Sequence, residues 1–486
     1  MANKIVGRQC EMASLKRVCT SKKAEFLAVY GRRRVGKTFL IRYFFKQQDC
    51  LFFQLTGIYK ASLQTQLAEF IKELEALYAA LGMMLHLEQP KSWLKAFEML
   101  TEAIKHTKKK VIFFFDEFPW MAGKKSKLLS AVDYYWNRHW VDNPKIKLII
   151  CGSAASWIIE NILNNKGGLH NRVTLRLPIE PFTLQETQAY LKSAGVLLDR
   201  SQILALYMCI GGIPFYLSTV RSGFSATQNI NEMCFKKQGA LVNEFNNLFS
   251  SLFQHAVMHE TIVKLLASHR HGMSRKEIET ITAYQGGGLT RILKELVYAG
   301  FIEEFIPWKQ ERNIHYKLID EYTLFYLNWI APPSKQKRLS ELDTKFWEES
   351  AQSAAWRAWA GYAFEAICFK HLTNIKKALK IPDGSVASTW RYVAKGNSAI
   401  PGAQIDLLFE RQDGIVNVCE IKYSNGQFRI DKEYAKILQN KLDVYKKVTK
   451  THKQVVLSMI TTHGLQSSVH LEGLVWSSAT AEDLFG

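Results

Sequence analysis

The sequence has no long run of apolar residues. Its most apolar stretches, 111–115 and 148–151, are far shorter than the roughly 20 residues that a membrane-spanning helix needs. Residues 1–11 contain no apolar segment of the kind that directs secretion. These absences argue against an integral membrane protein and a secreted protein, and we expect a cytoplasmic location.

Closely spaced cysteines are also absent. The eight cysteines are scattered and form no C-x-x-C pair, which argues against a cysteine-rich zinc site. Cys151 and Cys419 lie within apolar runs typical of strands, and we interpret them as buried thiols. This cysteine usage fits a reducing compartment. There is no internal repeat and no low-complexity segment.

Acidic residues are few relative to basic ones. Among 486 residues, 44 are Asp or Glu and 64 are Lys or Arg, so the formal net charge is +20. Hydrophobic residues make up 47% and charged residues 22%, which excludes wholesale disorder and a disulfide-stapled miniprotein. The charge indicates a polyanionic partner, either nucleic acid or an anionic membrane surface. No convincing basic amphipathic helix is present, so we expect DNA and no membrane.

The hydrophobic pattern divides the chain into three parts. In the first ~220 residues, short apolar runs alternate with amphipathic segments, which predicts an α/β fold with a parallel sheet. The predicted strands are 26–30, 51–55, 111–115, 148–151 and 173–177. A mainly helical part follows, and a Pro-Pro-Ser-Lys segment at 332–335 begins a polar linker. At ~100–200 residues per domain, we predict domains 1–222, 223–334 and 335–486.

The loop after the first predicted strand matches G-x-x-x-x-G-K-[ST]. Its residues are Gly31, Arg32, Arg33, Arg34, Val35, Gly36, Lys37 and Thr38. A strand precedes the loop and a helix follows it, which is the context that this motif requires. Backbone N–H groups would cradle phosphates, Lys37 would reach the β and γ phosphates, and Thr38 would hold Mg²⁺.

Four further residues are candidates for this ATP site. Asp116 and Glu117 follow the strand 111–115, at the carboxyl edge where such sheets bind ligands. Asp116 would hold Mg²⁺ and Glu117 would orient or activate the attacking water. Ser153 ends the next strand and either senses the γ-phosphate or belongs to a plain strand-to-helix turn. Arg172 is either an arginine finger, in cis or from a neighbouring subunit, or a solvated surface group.

These segments together resemble the archaeal-type ATPases of the AAA+/STAND group. The resemblance rests on 5–11, Gly31 to Thr38, 115–117, 151–153 and 211–217, although Gln9 stands where an acidic residue is more usual. It implies that the Gly-x-Pro element ending in Pro214 lies near the nucleotide and reports its state to the next domain. It also implies a winged helix followed by a restriction-endonuclease-like domain.

The middle part has the pattern of a winged helix. A helix is predicted at 259–268, and Ser274 with Glu277 forms a capping-box pattern. A triple-glycine turn at 286–288 precedes an amphipathic helix at 289–299, and strands at 301–305 and 315–318 form the wing. The second helix either enters the DNA major groove or relays the ATPase state and contacts a partner protein. Acidic residues dilute its exposed face, which favours the relay.

The C-terminal part contains a second set of candidate residues, made up of acidic residues and a lysine. Asp406 lies on a strand at 404–410, and Glu420 and Lys422 lie on the next, 415–422. An Asp-Gly turn between the strands would bring these residues together, and Asp406 and Glu420 would bind Mg²⁺. Lys422 would position or help to deprotonate water, with its pKa lowered by burial or controlled by the metal. Glu365, on a preceding helix, can supply a third acid.

This set resembles the PD-(D/E)xK nuclease core, with Ile405 in place of the usual proline. The resemblance implies catalytic roles for Glu365, Asp406, Glu420 and Lys422. Two alternatives are a surface hairpin with an ordinary salt bridge and an inactive relic that still binds DNA. Eight basic residues after the hairpin would track DNA phosphates or be solvated: Arg429, Lys432, Lys436, Lys441, Lys446, Lys447, Lys450 and Lys453.

Two functions from different classes follow. The first is an ATP-binding and ATP-hydrolysing, Mg²⁺-dependent DNA endonuclease in which the ATP state gates or couples to cleavage, in genome defence, repair or mobile-element control. The second is a nucleotide-switched regulator or scaffold whose C-terminal domain binds DNA or protein without cutting. Partners beyond DNA would be further copies of the chain or a protein bound through the winged helix.

Overall fold

The computed structural model describes residues 5–123, 125–164, 167–169, 171–253, 255–308, 313–332, 346–394 and 400–486. The chain forms two compact units. The first comprises Met1–Pro181, Ser250–Ala256 and Arg291–Gly300, and the second Phe182–Phe249, Val257–Thr290 and Phe301–Gly486. The predicted boundary at 334/335 and most of the predicted linker lie outside the described residues. The division into three domains stays a prediction.

The first unit contains a five-stranded parallel sheet, as the sequence predicts. Its strands are β1 (Glu25–Tyr30), β2 (Cys50–Thr56), β3 (Lys110–Asp116), β4 (Ile146–Gly152) and β5 (Leu175–Pro178). They lie in the order β2-β3-β4-β1-β5. The helices are α1 (Gln9–Thr20), α2 (Lys37–Lys46), α3 (Leu63–Ala80), α4 (Trp93–Ala103), α5 (Phe118–Met121), α6 (Leu128–Tyr135) and α7 (Ala155–Ile158).

The core of this unit is rich in aromatic side chains. The apolar run of β3 is buried on both faces of the sheet, as expected for a central parallel strand. The ring of Phe97 on α4 lies 5.6 Å from that of Phe115 and 5.3 Å from that of Trp140, tilted by 58° to each. The side chains of Ser62 and Ser92 cap α3 and α4, which fixes where these two helices start.

A mainly helical stretch follows the first sheet. Its helices are α8 (Leu184–Ser193), α9 (Arg200–Ile210), α10 (Pro214–Leu217), α11 (Ala226–Cys234), α12 (Glu244–Leu252), α13 (Ala256–Ser268), α14 (Arg275–Thr282), α15 (Gly286–Tyr298) and α16 (Glu321–Phe325). The capping box of Ser274 and Glu277 is present at the start of α14. The prediction of a turn at 286–288 is wrong, because these three glycines form the first turn of α15.

Three short strands accompany these helices. They are β6 (Met273–Ser274), β7 (Ile302–Phe305) and β8 (His315–Leu318). They form an antiparallel sheet in the order β6-β8-β7. The strand at 315–318 has the bounds predicted from the sequence, and β7 begins one residue later than predicted.

The C-terminal part contains a mixed five-stranded sheet. Its strands are β9 (Val386–Tyr392), β10 (Ala403–Glu410), β11 (Ile415–Lys422), β13 (Gln454–Thr461) and β15 (Val475–Thr480), in the order β15-β13-β11-β10-β9. A separate short pair joins β12 (Phe428–Arg429) to β14 (Leu465–Gln466). The helices are α17 (Phe346–Ser350), α18 (Ala354–Lys370), α19 (Leu372–Ala378) and α20 (Lys432–Thr449).

β13 lies inside the sheet between β11 and β15, and the edge strands are β15 and β9. Both edge strands are partly exposed, so they lack the continuous apolar run by which buried strands are recognised.

Within the described ranges, no helix combines the length and apolar character that a membrane crossing requires.

Candidate functional site

The phosphate loop connects β1 to α2 and contains two glycines with positive φ. Gly31 has φ +142° and Gly36 has φ +91°, values that residues with a Cβ atom rarely adopt. A Cβ atom on Gly31 would lie 2.3 Å from the carbonyl oxygen of Ile179. Gly31 is therefore required both by its backbone angle and by its contact with the segment after β5.

We expect Gly31→Ala to weaken nucleotide binding and to lower the melting temperature. The added methyl group has no room beside Ile179, and overpacking of this kind costs about 1–3 kcal/mol. Gly82→Ala is the matched control, because Gly82 has φ +81° and open space around an added Cβ atom. Thermal unfolding and titration with a fluorescent ATP analogue measure the two effects. Equal losses in the two variants would contradict the packing argument.

Lys37 lies inside the phosphate loop. Its Nζ donates hydrogen bonds to the carbonyl oxygens of Gly31, at 2.9 Å, and Arg32, at 2.8 Å. Burial lowers the pKa of Lys37, and the thiol of Cys151 is the first of the nearby groups that oppose this shift. An ammonium group held by loop carbonyls can exchange those acceptors for phosphate oxygens when a nucleotide enters.

Arg8 supports the loop from outside, a role that sequence reasoning missed. Its Nη2 donates to the carbonyl oxygen of Val35 at 3.1 Å, and its Nη1 forms an ion pair with Glu11 at 3.1 Å. Arg8 is buried and precedes α1 with φ +59°. The acidic residue three positions after Arg8 was the available signal, because i, i+3 pairs face each other at a helix start.

The Mg²⁺ ligands predicted from two distant motifs lie together. Thr38 Oγ1 donates a hydrogen bond to Asp116 Oδ2 at 2.8 Å. Asp116 is buried at the end of β3, and its Oδ1 accepts from the backbone N–H of Glu117 at 3.1 Å. A hydroxyl oxygen and a carboxylate at this distance fit Mg²⁺, which prefers oxygen ligands and keeps several of its waters.

Ser153 holds the carboxylate of Glu117. The Ser153 hydroxyl donates to Glu117 Oε1 and Oε2 at 3.0 and 2.9 Å, and its backbone N–H donates to Oε2 at 3.1 Å. Glu117 has φ +46° and ψ +44°, an unusual backbone conformation that often accompanies functional residues. β4 lies next to β3 in the sheet, so its carboxyl end brings Ser153 beside Glu117. Contact of Ser153 with a γ-phosphate stays a prediction.

Arg172 does not lie at the phosphate loop of its own chain. It lines a surface hollow together with Lys22, Lys23 and Asp142, at the amino ends of the parallel strands. The phosphate loop occupies the opposite, carboxyl ends. The prediction of an arginine finger in cis is therefore wrong, and a finger supplied to a neighbouring subunit stays a prediction.

The remaining predicted nucleotide contacts are placed as follows. Arg32 is buried, and Arg33 and Arg34 are partly exposed. Pro214 is the first residue of α10, which belongs to the second compact unit. A role for Pro214 in reporting the nucleotide state stays a prediction.

The predicted hairpin brings Asp406 to the strand that carries Glu420 and Lys422. β10 and β11 pair in antiparallel fashion, and Gly414 in the connecting turn has φ +82°. Asp406 Oδ2 accepts a hydrogen bond from the backbone N–H of Ile421 at 3.1 Å. The two acidic residues therefore face each other across neighbouring strands.

Glu420 is a buried carboxylate with three side-chain partners. Its Oε1 accepts from the Tyr434 hydroxyl at 2.7 Å and lies 3.0 Å from Lys422 Nζ, and its Oε2 lies 2.6 Å from Lys441 Nζ. Burial alone would raise the pKa of Glu420, but Lys441 and Lys422 together outweigh burial and lower it. Glu420 is therefore held as an anion.

Lys422 is held as an ammonium ion, which corrects the expected lowering of its pKa. Burial disfavours the charged form, but the adjacent Glu420 and Tyr434 outweigh burial and raise the pKa of Lys422. Its Nζ also lies 5.4 Å from the centre of the Tyr434 ring. With this charge state, Lys422 can orient a water or stabilise negative charge.

Glu365 on α18 completes a group of interacting charges. Burial and the neighbouring Asp406 raise the pKa of Glu365 to about 7. Burial and the neighbouring Glu420 likewise raise the pKa of Asp406 to about 6. The hairpin and α18 thus bring together the four residues predicted for this site, and two of its carboxylates favour an added positive charge.

The donor set fits Mg²⁺ bound partly by water and substrate. In the part of the chain that the structure describes, no three His, Cys, Asp or Glu side chains form a group that could hold a metal ion. Mg²⁺ is commonly bound by one or two carboxylates, with waters and phosphate oxygens completing the shell. Asp406 and Glu420 would be those carboxylates.

Three partners of this site were assigned no place in it from the sequence: Tyr434, Lys441 and Lys317. Lys441 was predicted only as a phosphate contact, and it pairs with Glu420. Lys317 lies on β8, and its charge acts on Glu365 and Asp406. Tyr434 and Lys441 are seven residues apart on α20 and hence share a helix face, a signal that was available. No sequence pattern around Lys317 indicates that it lies near the hairpin.

Comparison with known proteins supports the ATPase site. Residues 5–220 match a family model described as an ATPase domain predominantly from Archaea. An uncharacterized protein of Methanocaldococcus jannaschii is 24% identical over 446 residues, which cover 91% of each chain. This relative matches both halves of the sequence.

Matches to solved structures are weaker. A Walker-type ATPase of Pyrococcus abyssi has 18% identity and a TM-score of 0.47, covering 66% of this chain and 96% of the other. The ORC2 protein of Aeropyrum pernix has 15% identity and a TM-score of 0.41, covering 73% and 98%. The family match and the geometry of the phosphate loop lead to one conclusion: residues 5–220 are an ATPase domain of the archaeal type.

Proposed function

We propose that this protein is an ATP-gated, Mg²⁺-dependent DNA endonuclease. The observation that carries the proposal is the convergence of Glu365, Asp406, Glu420 and Lys422, which come from a helix and two strands. Two acidic side chains and a lysine at one place are the groups that metal-assisted hydrolysis of a phosphodiester needs. The ATPase domain in the same chain supplies a means of controlling that reaction.

The residues of the ATP site divide the work of phosphoryl transfer. Lys37 binds the β and γ phosphates and offsets the charge that spreads over their oxygens. Thr38 and Asp116 would hold Mg²⁺, which would offset the negative charge of the nucleotide. Glu117, held by Ser153, orients the attacking water and accepts its proton.

The second site hydrolyses DNA in this proposal. Asp406 and Glu420 would hold Mg²⁺, which when bound supplies Lewis-acid activation of the phosphate and of water. The ammonium of Lys422 lies 3.0 Å from Glu420 and stabilises the negative charge that develops on the phosphate. Glu365 supplements the negative charge that retains the cation.

The net charge of +20 and the basic residues of α20 support DNA as the polyanion. The relative from M. jannaschii aligns over 91% of both chains, so the regions that carry the two proposed sites occur together in a second polypeptide. The segment between the sites would relay the ATP state, or it would bind a partner protein, and the chain would also associate with further copies of itself.

A cleavage assay with the purified full chain tests this function. Single-stranded, duplex and branched DNA are incubated with Mg²⁺ or EDTA, each with and without ATP. We expect products only with Mg²⁺, in amounts that depend on ATP. Absence of product from every DNA, together with intact ATP hydrolysis, would contradict the proposal and favour a nucleotide-switched regulator that binds DNA or protein.

A further inference from the structure

A cleft of about 660 Å³ lies beside the acidic residues of the hairpin. One wall consists of β7, β8 and the segment before β6, and the other consists of α18, β9 and β10. Both Glu365 and Asp406 line it. The cleft therefore leads from solvent to the site at which we propose that the phosphodiester is cut.

Three basic side chains surround His271 in this cleft, and we call them the cleft cations: Arg270, Lys317 and Arg391. His271 Nδ1 lies 3.2 Å from Gln404 Nε2 on β10. Burial lowers the pKa of His271 and so do Arg391, Lys317 and Arg270, in that order. All three positive charges therefore face the same imidazole.

Aromatic rings of α18 contact two of the cleft cations near Glu365. Lys317 Nζ lies 5.4 Å from the centre of the Tyr362 ring and 5.3 Å from that of Phe369. The guanidinium of Arg270 lies 5.5 Å from the Tyr362 ring. Tyr362, Glu365 and Phe369 recur at helical spacing and hence share one face of α18. Cation–π contacts of this kind hold a charge in place while leaving its donors available.

The acidic side chains do not neutralise the group as a whole. Glu303 lies opposite Lys317 in the β7–β8 pair, so Lys317 is partly balanced. Within the described part of the chain, neither Arg270 nor Arg391 forms an ion pair, and both are exposed. Like charges brought together without partners repel one another, and a bound anion relieves that repulsion.

We propose that the cleft cations bind the DNA backbone and seat it against the acidic residues of the hairpin. The cleft then has an acidic end that holds the metal and a basic end that holds the phosphates flanking the cut. Arg270 and Lys317 come from the segment 270–318, and Arg391 comes from the C-terminal sheet. This segment thus contributes directly to substrate binding, a role beyond the relay predicted from its sequence. The inference rests on the proposed function for the choice of DNA.

DNA binding by the full chain tests this inference without cleavage. A fluorescein-labelled DNA duplex is titrated in EDTA at several salt concentrations, and its anisotropy is followed. We expect Arg270→Gln combined with Arg391→Gln to weaken binding by about tenfold or more and to reduce the slope of log K against log salt by about 2, because each lost phosphate contact removes about one unit. The variant that combines Arg270→Lys with Arg391→Lys keeps both charges and should retain most of the affinity for DNA.

The control is Lys192→Gln combined with Arg357→Gln, two exposed basic residues that do not line the cleft. Unchanged affinity and slope in the Arg270 and Arg391 variant would overturn the inference, as would absence of DNA binding by the unmodified protein. Circular dichroism checks that each variant is folded. DNA binding that depends on the cleft cations, with no cleavage by the unmodified protein, would contradict the nuclease proposal. This inference would then still stand.

Discussion

Lys422→Ala is expected to abolish DNA cleavage while leaving ATP hydrolysis at the level of the unmodified protein. The ammonium of Lys422 lies 3.0 Å from Glu420, where it would face the phosphate under attack. Loss of one charged group that stabilises developing charge typically costs about 10²–10³ in rate. Loss of cleavage by this variant would tie the reaction to the hairpin.

The fold should survive this substitution, because Glu420 keeps Lys441 at 2.6 Å and the Tyr434 hydroxyl at 2.7 Å. Lys377→Ala is the control, since Lys377 is exposed on α19. Cleavage is measured with labelled DNA in Mg²⁺, and ATP hydrolysis by phosphate release. Unimpaired cutting by Lys422→Ala would remove the catalytic role of the hairpin.

Glu117→Gln is expected to lower the turnover of ATP by about 10²–10⁴-fold, the usual contribution of a general base. The amide is nearly the same size as the carboxylate and can still accept the hydrogen bond from Ser153, which is 2.9–3.0 Å away. Nucleotide affinity should change little, because Lys37, Thr38 and Asp116 are untouched. The variant should thus retain ATP without hydrolysing it.

Phosphate release measures turnover, and titration with a fluorescent ATP analogue measures binding. Glu98→Gln is the control, because Glu98 is exposed on α4 and pairs with Lys95 at 2.9 Å. If Glu117→Gln hydrolyses ATP at the unmodified rate, the water is oriented by another group. If it also fails to bind ATP, Glu117 has a structural role in the site.

The variant also separates binding of ATP from its hydrolysis in the proposed nuclease reaction. A protein locked with ATP should cut DNA continuously if the bound state permits cleavage. It should cut little if each cleavage event needs hydrolysis. The same cleavage assay decides between gating by the bound state and coupling to turnover.

The central strands and the local motifs could be predicted because their signals are short. The G-x-x-x-x-G-K-[ST] loop spans Gly31 to Thr38, and β3 is a continuous apolar run ending in Asp116. The capping box of Ser274 and Glu277 involves residues three apart. Such patterns depend on backbone geometry within a few residues, and tertiary packing rarely overrides them.

Other predictions failed because packing outweighed a local preference. The glycines at 286–288 favour a turn by propensity, which is a weak prior, yet they begin α15. The pKa of Lys422 could not be derived from burial alone, since its sign depends on the 3.0 Å contact with Glu420. Arg172 follows a loop in the sequence, but the sheet places it at the edge opposite the phosphate loop.

The sequence by itself determined the nature of both sites: the phosphate loop with its acidic strand end, and the hairpin with Asp406, Glu420 and Lys422. Tertiary structure decided which groups act on them. Ser153 meets Glu117 because β4 lies between β3 and β1. Lys317 reaches the vicinity of Glu365 because β8 forms a wall of the same cleft as α18. These contacts join residues far apart in the chain, and only the order and packing of the elements bring them within range.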